Sequence, residues 1–172
     1  EGITDTDKKI ADEIIGAQKP TVIAVNKWDS IEKDHRTFDE YRERLIFSFY
    51  RAADFPIISI SAIKKQRIHR LIETAVELGE RAEVRVETPR LNRIMEEIQR
   101  SHHIPTLGGR LKILYLTQTG VKPPRFKLFV NKPALFRKDV SRHIEKALQK
   151  RLELVGIPIE ISIEGKRRSR RP

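Results

Sequence analysis

The sequence contains no cysteine and no long apolar run, and these two absences exclude several classes of protein. Without cysteine, neither disulfides nor thiolate zinc sites can form, and such a composition fits a reducing cytoplasm, where we expect the protein to act. No stretch approaches the roughly 18 apolar residues that a membrane-spanning helix requires, so we expect no membrane partner. The first ten residues are polar and partly acidic, so we do not expect them to be a signal peptide.

Charge is distributed unevenly along the 172 residues, whose net charge is +11. Residues 1–88 hold 15 basic and 17 acidic residues, whereas residues 89–172 hold 20 basic and 7 acidic ones. A surplus of positive charge confined to one half favours a polyanionic partner, such as a nucleic acid, for that half. A basic surface kept only for solubility is the alternative.

The pattern of the first half predicts alternating helices and buried strands. Two short apolar runs, 21–25 and 56–60, are typical of strands buried on both faces of a parallel sheet. Helices are predicted over 5–16, over 36–51 and from Ile68, the last with Gly79 as its stop. This order predicts part of a doubly wound α/β domain.

The second half has a different pattern, beyond a charged linker at 80–88. Thr88 as N-cap and Pro89 begin a helix, and a hairpin of two antiparallel strands follows, joined by the turn 119–124. A helix ending by Gly156 and a strand of alternating isoleucines complete an α–β–β–α–β order. We expect a three-stranded sheet with two helices on one face, and then a disordered basic tail.

The chemistry of the first half centres on Asn26, Lys27 and Asp29, directly after the first strand. This is the carboxyl edge of the predicted sheet, where open α/β folds bind ligands. An ionised Asp29 accepts hydrogen bonds only, so it matches the two adjacent donors of guanine and opposes the ring acceptor of adenine. The alkyl stem of Lys27 can lie along the base, and Asn26 can tie the loop to neighbouring backbone.

A second loop strengthens this interpretation. Ser61 and Ala62 follow the second strand, 32 residues beyond Asp29, and a backbone N–H there can donate to the guanine O6. We therefore expect Asn26, Lys27, Asp29, Ser61 and Ala62 to bind the base. A polar turn beside an unrelated Ser-Ala pair is the alternative.

These two loops resemble the NKxD and SA base-specificity motifs of translation-factor-type GTPases. Longer segments resemble the C-terminal part of the Der/EngA family of bacterial tandem GTPases: EGITDTDKKIADEI, VNKWD, LTQTGVKPPRFKLFVNKPALF and GIPIEISI. The resemblance implies that residues 1–84 are the C-terminal half of a P-loop GTPase domain and residues 85–165 a KH-like domain, with residues 166–172 as the tail. It also implies GTP or GDP as ligand and GTP hydrolysis in maturation of the large ribosomal subunit. The partners that it implies are ribosomal RNA and the protein's other GTPase domain.

Two departures from the family pattern limit what this chain can do by itself. No G-x-x-x-x-G-K-[ST] phosphate loop and no D-x-x-G occur, so the phosphate cradle and the Mg²⁺ ligands of the intact protein are absent. We expect a C-terminal fragment that has no catalytic residues and does not hydrolyse GTP alone. The G-x-x-G clamp of typical KH modules is also missing, because Gly108-Gly109-Arg110 precedes a strand.

Any RNA contact is therefore expected to run through basic surface. The candidates are hairpin and tail cations: Lys122, Arg125, Lys127, Lys166, Arg167, Arg168, Arg170 and Arg171. His102 and His103 are adjacent on a helix and diverge, so we interpret them as polar surface and expect no metal site. The alternative function is a non-catalytic RNA-binding or ribosome-docking module whose GTPase-like half is only a scaffold.

Overall fold

The computed structural model describes residues 3–31, 37–101 and 111–165. By its contacts the chain divides into two compact units. Unit 1 comprises residues 1–82 and 155–158, and unit 2 comprises residues 83–154 and 159–172. The predicted second domain contains the short segment 155–158, whereas its contacts place that segment in unit 1.

Unit 1 alternates helices with two short strands. The elements are α1 (Asp5–Gly16), β1 (Ile23–Val25), α2 (Thr37–Ser48), β2 (Ile57–Ser59) and α3 (Ile68–Arg81). β1 and β2 form a parallel pair with Ile23 opposite Ile57 and Val25 opposite Ser59, which confirms the predicted parallel arrangement. The predicted stop at Gly79 is wrong, because α3 continues to Arg81. An isolated glycine costs only about 1 kcal/mol inside a helix, too little to end one that packs well.

Helix α1 begins with a reciprocal cap. The Asp7 N–H donates to Thr4 Oγ, and Asp7 accepts hydrogen bonds from both the hydroxyl and the N–H of Thr4. These hydrogen bonds, first the one from the Thr4 side chain and then the one from its backbone, lower the pKa of Asp7 below its ordinary value. The cap fixes where α1 starts and so where its apolar face points.

The packing of unit 1 is uneven. Leu45, Phe49 and Ala52 form a buried cluster with partly buried neighbours from α1, β1 and α2. By contrast, Ile72 is 58% and Val76 is 54% exposed, although both lie on the apolar face of α3. The helix is therefore amphipathic, but its apolar face is left largely uncovered.

Segment 155–158 packs against the residues that flank the two strands. The Thr21 N–H donates to the Gly156 carbonyl (2.8 Å), and the Gly156 N–H donates to the Asp54 carbonyl (2.9 Å). Gly156 has a φ of +85°, and a Cβ there would lie 2.6 Å from Pro56 Cδ. Only glycine fits this position, because a side chain would add both backbone strain and a clash.

Unit 2 has the predicted α–β–β–α–β order. Its elements are α4 (Thr88–Ser101), β3 (Ile113–Gly120), β4 (Arg125–Val130), α5 (Lys138–Arg151) and β5 (Glu160–Gly165). The sheet order is β3-β4-β5, with β3 and β4 antiparallel, as predicted for the hairpin, and β4 and β5 parallel. Thr88 is the first helical residue rather than a cap, and β5 begins three residues later than the isoleucine alternation suggests.

One face of this sheet carries the core of unit 2. Phe126, Leu128 and Val130 of β4 are at most 1% exposed, and α4 and α5, which contact each other, contribute fully buried side chains. In β3 the inward residue is Leu116, whereas Tyr115 lies on the other face and stacks on Phe129 at 4.1 Å. Tyr115 thus packs on Phe129 but remains 44% exposed. Because β3 is apolar on both sides, its apolar residues are not confined to the buried face.

Candidate functional site

The two loops predicted to read a base lie at the same edge of a sheet. Because β1 and β2 are parallel and in register, residues 26–29 and residues 61–62 both follow carboxyl ends at that edge. The Trp28 N–H donates to the Ile60 carbonyl (3.0 Å), and the Ile60 N–H donates to the Val25 carbonyl (2.8 Å). The ladder between the strands therefore continues into the loops and brings them together.

Asn26 joins the two loops directly. Its Oδ1 accepts the Ala62 N–H (3.1 Å) and also the Lys27 N–H of its own loop (2.8 Å). A short side chain with a carbonyl oxygen at this position can satisfy two backbone donors that the strand ladder leaves unpaired. The predicted tie between Asn26 and neighbouring backbone is present in the structure.

Lys27 turns the chain sharply in front of Asp29. Its φ and ψ are 60° and 32°, a left-handed conformation that costs free energy in any residue other than glycine. A 3₁₀ turn, Trp28–Ser30, follows at once and holds Asp29 half-buried. The backbone position of Asp29 is thus set by a regular turn directly after the left-handed residue.

Trp28 fastens the loop to α2. Its ring is 4% exposed and makes edge-to-face contacts with Phe38 (5.6 Å between centroids) and Tyr41 (5.4 Å). Such aromatic pairs contribute roughly 0.5–1.5 kcal/mol beyond the area they bury. The Trp28 ring therefore covers apolar surface next to the loop. Its partners were missed from sequence, although two aromatics three residues apart at the start of a helix were a visible signal.

The second loop is a closed turn around Ser61. Ser61 is fully buried and exchanges backbone hydrogen bonds with Gln66, and its Oγ accepts the Lys64 N–H (3.1 Å). The Arg67 guanidinium donates to the Ser59 carbonyl at the end of β2. Sequence reasoning missed Gln66 and Arg67, because these roles depend on how the turn closes.

The predicted donor to a guanine oxygen is already engaged. The Ser61 N–H donates to the Gln66 carbonyl, and the Ala62 N–H donates to Asn26 Oδ1. A base oxygen at this edge would therefore have to share the Ala62 N–H with Asn26. The two loops thus form one hydrogen-bonded unit, in which the Ala62 N–H already donates to Asn26 Oδ1.

The basic hairpin candidates lie beside carboxylates. Lys122 forms an ion pair with Glu83, and Lys127 forms one with Glu164 at 3.4 Å. Arg125 lies opposite Glu160 in the strand register, and its guanidinium covers Gly120. The tail candidates Lys166, Arg167, Arg168, Arg170 and Arg171 lie outside the described residues, as do His102, His103 and the Gly108-Gly109-Arg110 segment.

The described residues contain neither a metal cluster nor a membrane-spanning helix. Within 3–31, 37–101 and 111–165, no three His, Cys, Asp or Glu side chains are grouped as a metal site would need. In the same ranges, no helix is both long enough and apolar enough to cross a bilayer.

Comparison with known proteins agrees with the sequence resemblance. Residues 85–164 match the model of the KH-domain-like region of EngA bacterial GTPase enzymes, described as C-terminal. Curated relatives named GTPase Der include those of Trichlorobacter lovleyi (36% identical over 98% of this chain), Halothermothrix orenii (37% over 96%) and a Geobacillus species (41% over 94%). The match covers 37–38% of the length of these relatives.

Proposed function

Because the chain belongs to the Der/EngA family, we propose that it supplies the guanine-reading loops and the RNA-contacting module of a GTP-hydrolysing ribosome assembly factor. The factor acts on the large ribosomal subunit, with ribosomal RNA and its other GTPase domain as partners. The observation that carries this proposal is the hydrogen bond from the Ala62 N–H to Asn26 Oδ1, which joins two base-reading loops at adjacent strand ends. An unrelated polar turn would not need that bond.

Within this proposal each loop residue has a distinct task. Asp29 accepts the two neighbouring donors of guanine, and Lys27 covers one face of the base with its alkyl stem. Asn26 and Ser61 position the loops, and Ala62 offers its N–H to the guanine oxygen beside Asn26. Adenine presents an acceptor where Asp29 needs a donor, and such a mismatch can cost about 10⁴-fold in discrimination.

The phosphates of GTP require residues that this sequence does not have. Bound Mg²⁺ supplies charge neutralisation between the phosphates, and its usual ligands come from a phosphate loop and a switch region that are absent here. The 172 residues thus contain base-binding loops but no phosphate cradle. We therefore expect them to bind GTP weakly and not to hydrolyse it. Calorimetry of the chain with GTP tests this expectation, and sub-micromolar affinity would contradict it.

The ribosomal part of the proposal rests on charge as well as on family. The +13 surplus of residues 89–172 suits phosphate contact, which gives affinity without sequence readout. The test is co-sedimentation of the full-length protein with large ribosomal subunits in GTP, in GDP and without nucleotide. We expect binding that depends on the nucleotide. Binding that is the same in all three conditions would instead support the non-catalytic docking module.

A further inference from the structure

A basic stretch follows directly after the second base-reading loop. Residues 61–72 hold four of the 15 basic residues of the first 88 and none of the 17 acidic ones. The four are exposed, and we call them the 64–70 patch: Lys64, Lys65, Arg67 and Arg70. The rest of the first half is acidic, so the patch reverses the charge of its surroundings.

The backbone that carries the 64–70 patch is held in one shape. The Lys64 N–H donates to Ser61 Oγ (3.1 Å), and the Lys65 N–H donates to the Ala62 carbonyl (3.3 Å). Ser61 and Gln66 exchange two further backbone hydrogen bonds, of 3.2 and 2.9 Å. Because the turn closes through its own hydrogen bonds, a ligand has only the cationic side chains to order, which lowers the entropic cost of binding.

Carboxylates do not neutralise the 64–70 patch. Among the described residues, no member of the patch forms an ion pair. The Arg67 guanidinium donates to the Ser59 carbonyl, which is neutral and leaves the charge in place. The nearest acidic residue along the chain, Glu73, lies 3.2 Å from His69 Nδ1. Four like charges within seven residues repel one another, so an anion lying along them would relieve repulsion.

The hairpin cations predicted to contact RNA differ in this respect. Lys122 forms an ion pair with Glu83, and Lys127 forms one with Glu164. A phosphate approaching the hairpin would compete with these carboxylates. A phosphate approaching the 64–70 patch would meet no such competitor in the part of the chain that the structure describes. The patch is therefore the more favourable of the two surfaces for a polyanion.

An anionic lipid surface fits the 64–70 patch poorly. A membrane-surface helix inserts an apolar stripe beside its cations, and α3 does expose Ile72 and Val76. The same helix, however, also exposes Glu73, Glu77 and Glu80. Insertion of the apolar stripe would bring negative headgroups close to three carboxylates, which opposes binding.

Nucleic-acid phosphate fits the patch better than the surface of another protein does. The centres of protein–protein interfaces are rich in aromatics and poor in lysine, whereas half of the patch is lysine and none of it is aromatic. Lysine and arginine both bind phosphate, and such contacts give affinity without reading a base sequence. Short segments rich in lysine and arginine are typical of nucleic-acid-binding surfaces.

We propose that the 64–70 patch binds the phosphate backbone of RNA without sequence preference, so that the guanine-reading unit contacts RNA itself. This inference rests on the proposed function for the identity of the polyanion, and it adds a surface outside the KH-like half. Because Lys64 is two residues beyond Ala62, RNA bound to the patch lies next to the base-reading loops.

The test uses the complete 172-residue chain and begins with two variants of the patch. The patch variant replaces Lys64, Lys65 and Arg70 with Gln, and it keeps Arg67 because that guanidinium also holds the end of β2. The charge-keeping variant carries Lys64→Arg, Lys65→Arg and Arg70→Lys. It separates the loss of charge from the loss of the original side chains.

A matched control removes the same charge elsewhere in unit 1. It replaces with Gln two lysines and one arginine that are also exposed: Lys9, Lys19 and Arg42. A general change in net charge therefore affects the control and the patch variant equally. Anisotropy measures binding to an RNA duplex of about 16 base pairs and to single-stranded oligouridine, between about 50 and 200 mM salt. Far-UV circular dichroism establishes that each variant is folded.

We expect the patch variant to lose about 2.7 units of the slope of log affinity against log salt on the duplex, or about 2.1 on the single strand. Its affinity should fall at least about tenfold, whereas the control and the charge-keeping variant should retain most of the slope and the affinity.

Three results would overturn the proposal. Equal losses in the patch variant and the control would remove the patch from the interface while leaving RNA binding itself in place. If the unaltered chain binds neither RNA, the RNA part of the proposed function fails together with the patch. If the patch variant keeps RNA binding but loses binding to phosphatidylserine vesicles or to polyglutamate, the patch serves another partner.

Discussion

The two units of this chain differ in how completely they bury their apolar residues. Among the largest fully buried side chains of the described residues, all but Ile157 belong to unit 2. Unit 1 leaves Ile10, Ile72 and Val76 more than half exposed and has an apolar groove of about 310 Å³ lined by residues of α1, β1 and α2. The difference indicates that unit 2 has a closed core of its own, whereas two three-residue strands cannot cover the helices of unit 1.

The difference in packing between the units is tested most sharply by the same Ile→Ala substitution in each of them. Ile144 is fully buried in α5, and Ile72 is 58% exposed in α3. We expect Ile144→Ala to lower the free energy of unfolding of unit 2 by about 2–5 kcal/mol, through lost burial and a cavity. Ile72→Ala is expected to change stability by at most about 0.5 kcal/mol. Urea unfolding followed by circular dichroism measures both, and similar costs would refute the difference in packing.

The uncovered apolar face of α3 predicts a second, smaller effect, which concerns self-association. Exposed apolar patches promote association, so we expect the chain to self-associate at high concentration. Replacing Ile72 and Val76 with Gln should weaken that association about tenfold, because each side chain contributes apolar area. Sedimentation velocity over a concentration series checks this, with Arg70→Gln on the same helix as the control. A wild-type chain that stays monomeric at high concentration would count against the exposed face.

The smallest expected effect concerns the two base-reading loops, which hydrogen bonds hold together although unit 1 packs poorly. Asn26→Ala removes the acceptor for the Lys27 and Ala62 N–H groups, whereas Asn26→Asp keeps an acceptor in place. We expect the alanine variant to lose about 0.5–1.5 kcal/mol of local stability. Amide hydrogen exchange at residues 27 and 62 would then be faster in the alanine variant than in the aspartate variant. Unchanged exchange in both would mean that Asn26 does not hold the loops together.

Periodicity predicted the element order of both units because it depends on local patterns. The parallel pair, the antiparallel hairpin and the buried Phe126 all follow from apolar spacing and from the length of the connections. The positions of Tyr115 and Gly156 did not follow from local patterns, since β3 is apolar on both sides and the residue that closely approaches Gly156, Pro56, is distant in sequence. Local patterns therefore describe elements better than they describe long-range packing.

Some features of the candidate site also follow from local sequence, and others depend on long-range packing. Residues 26–29 and 61–62 were predictable because strand ends locate ligand edges and residue types limit the hydrogen bonds they can make. The hydrogen bond from the Ala62 N–H to Asn26 and the aromatic contacts of Trp28 could not be predicted from sequence, since both depend on how separate elements pack.

Guanine recognition by Asp29 is tested most directly in the full-length protein by Asp29→Asn. The amide adds a donor where the carboxylate only accepts, which suits xanthine and opposes guanine. We expect the ratio of affinities for GTP and XTP, measured by competition, to move by several orders of magnitude towards XTP. A ratio that is the same in the variant and the wild type would contradict the assignment of Asp29 to the base.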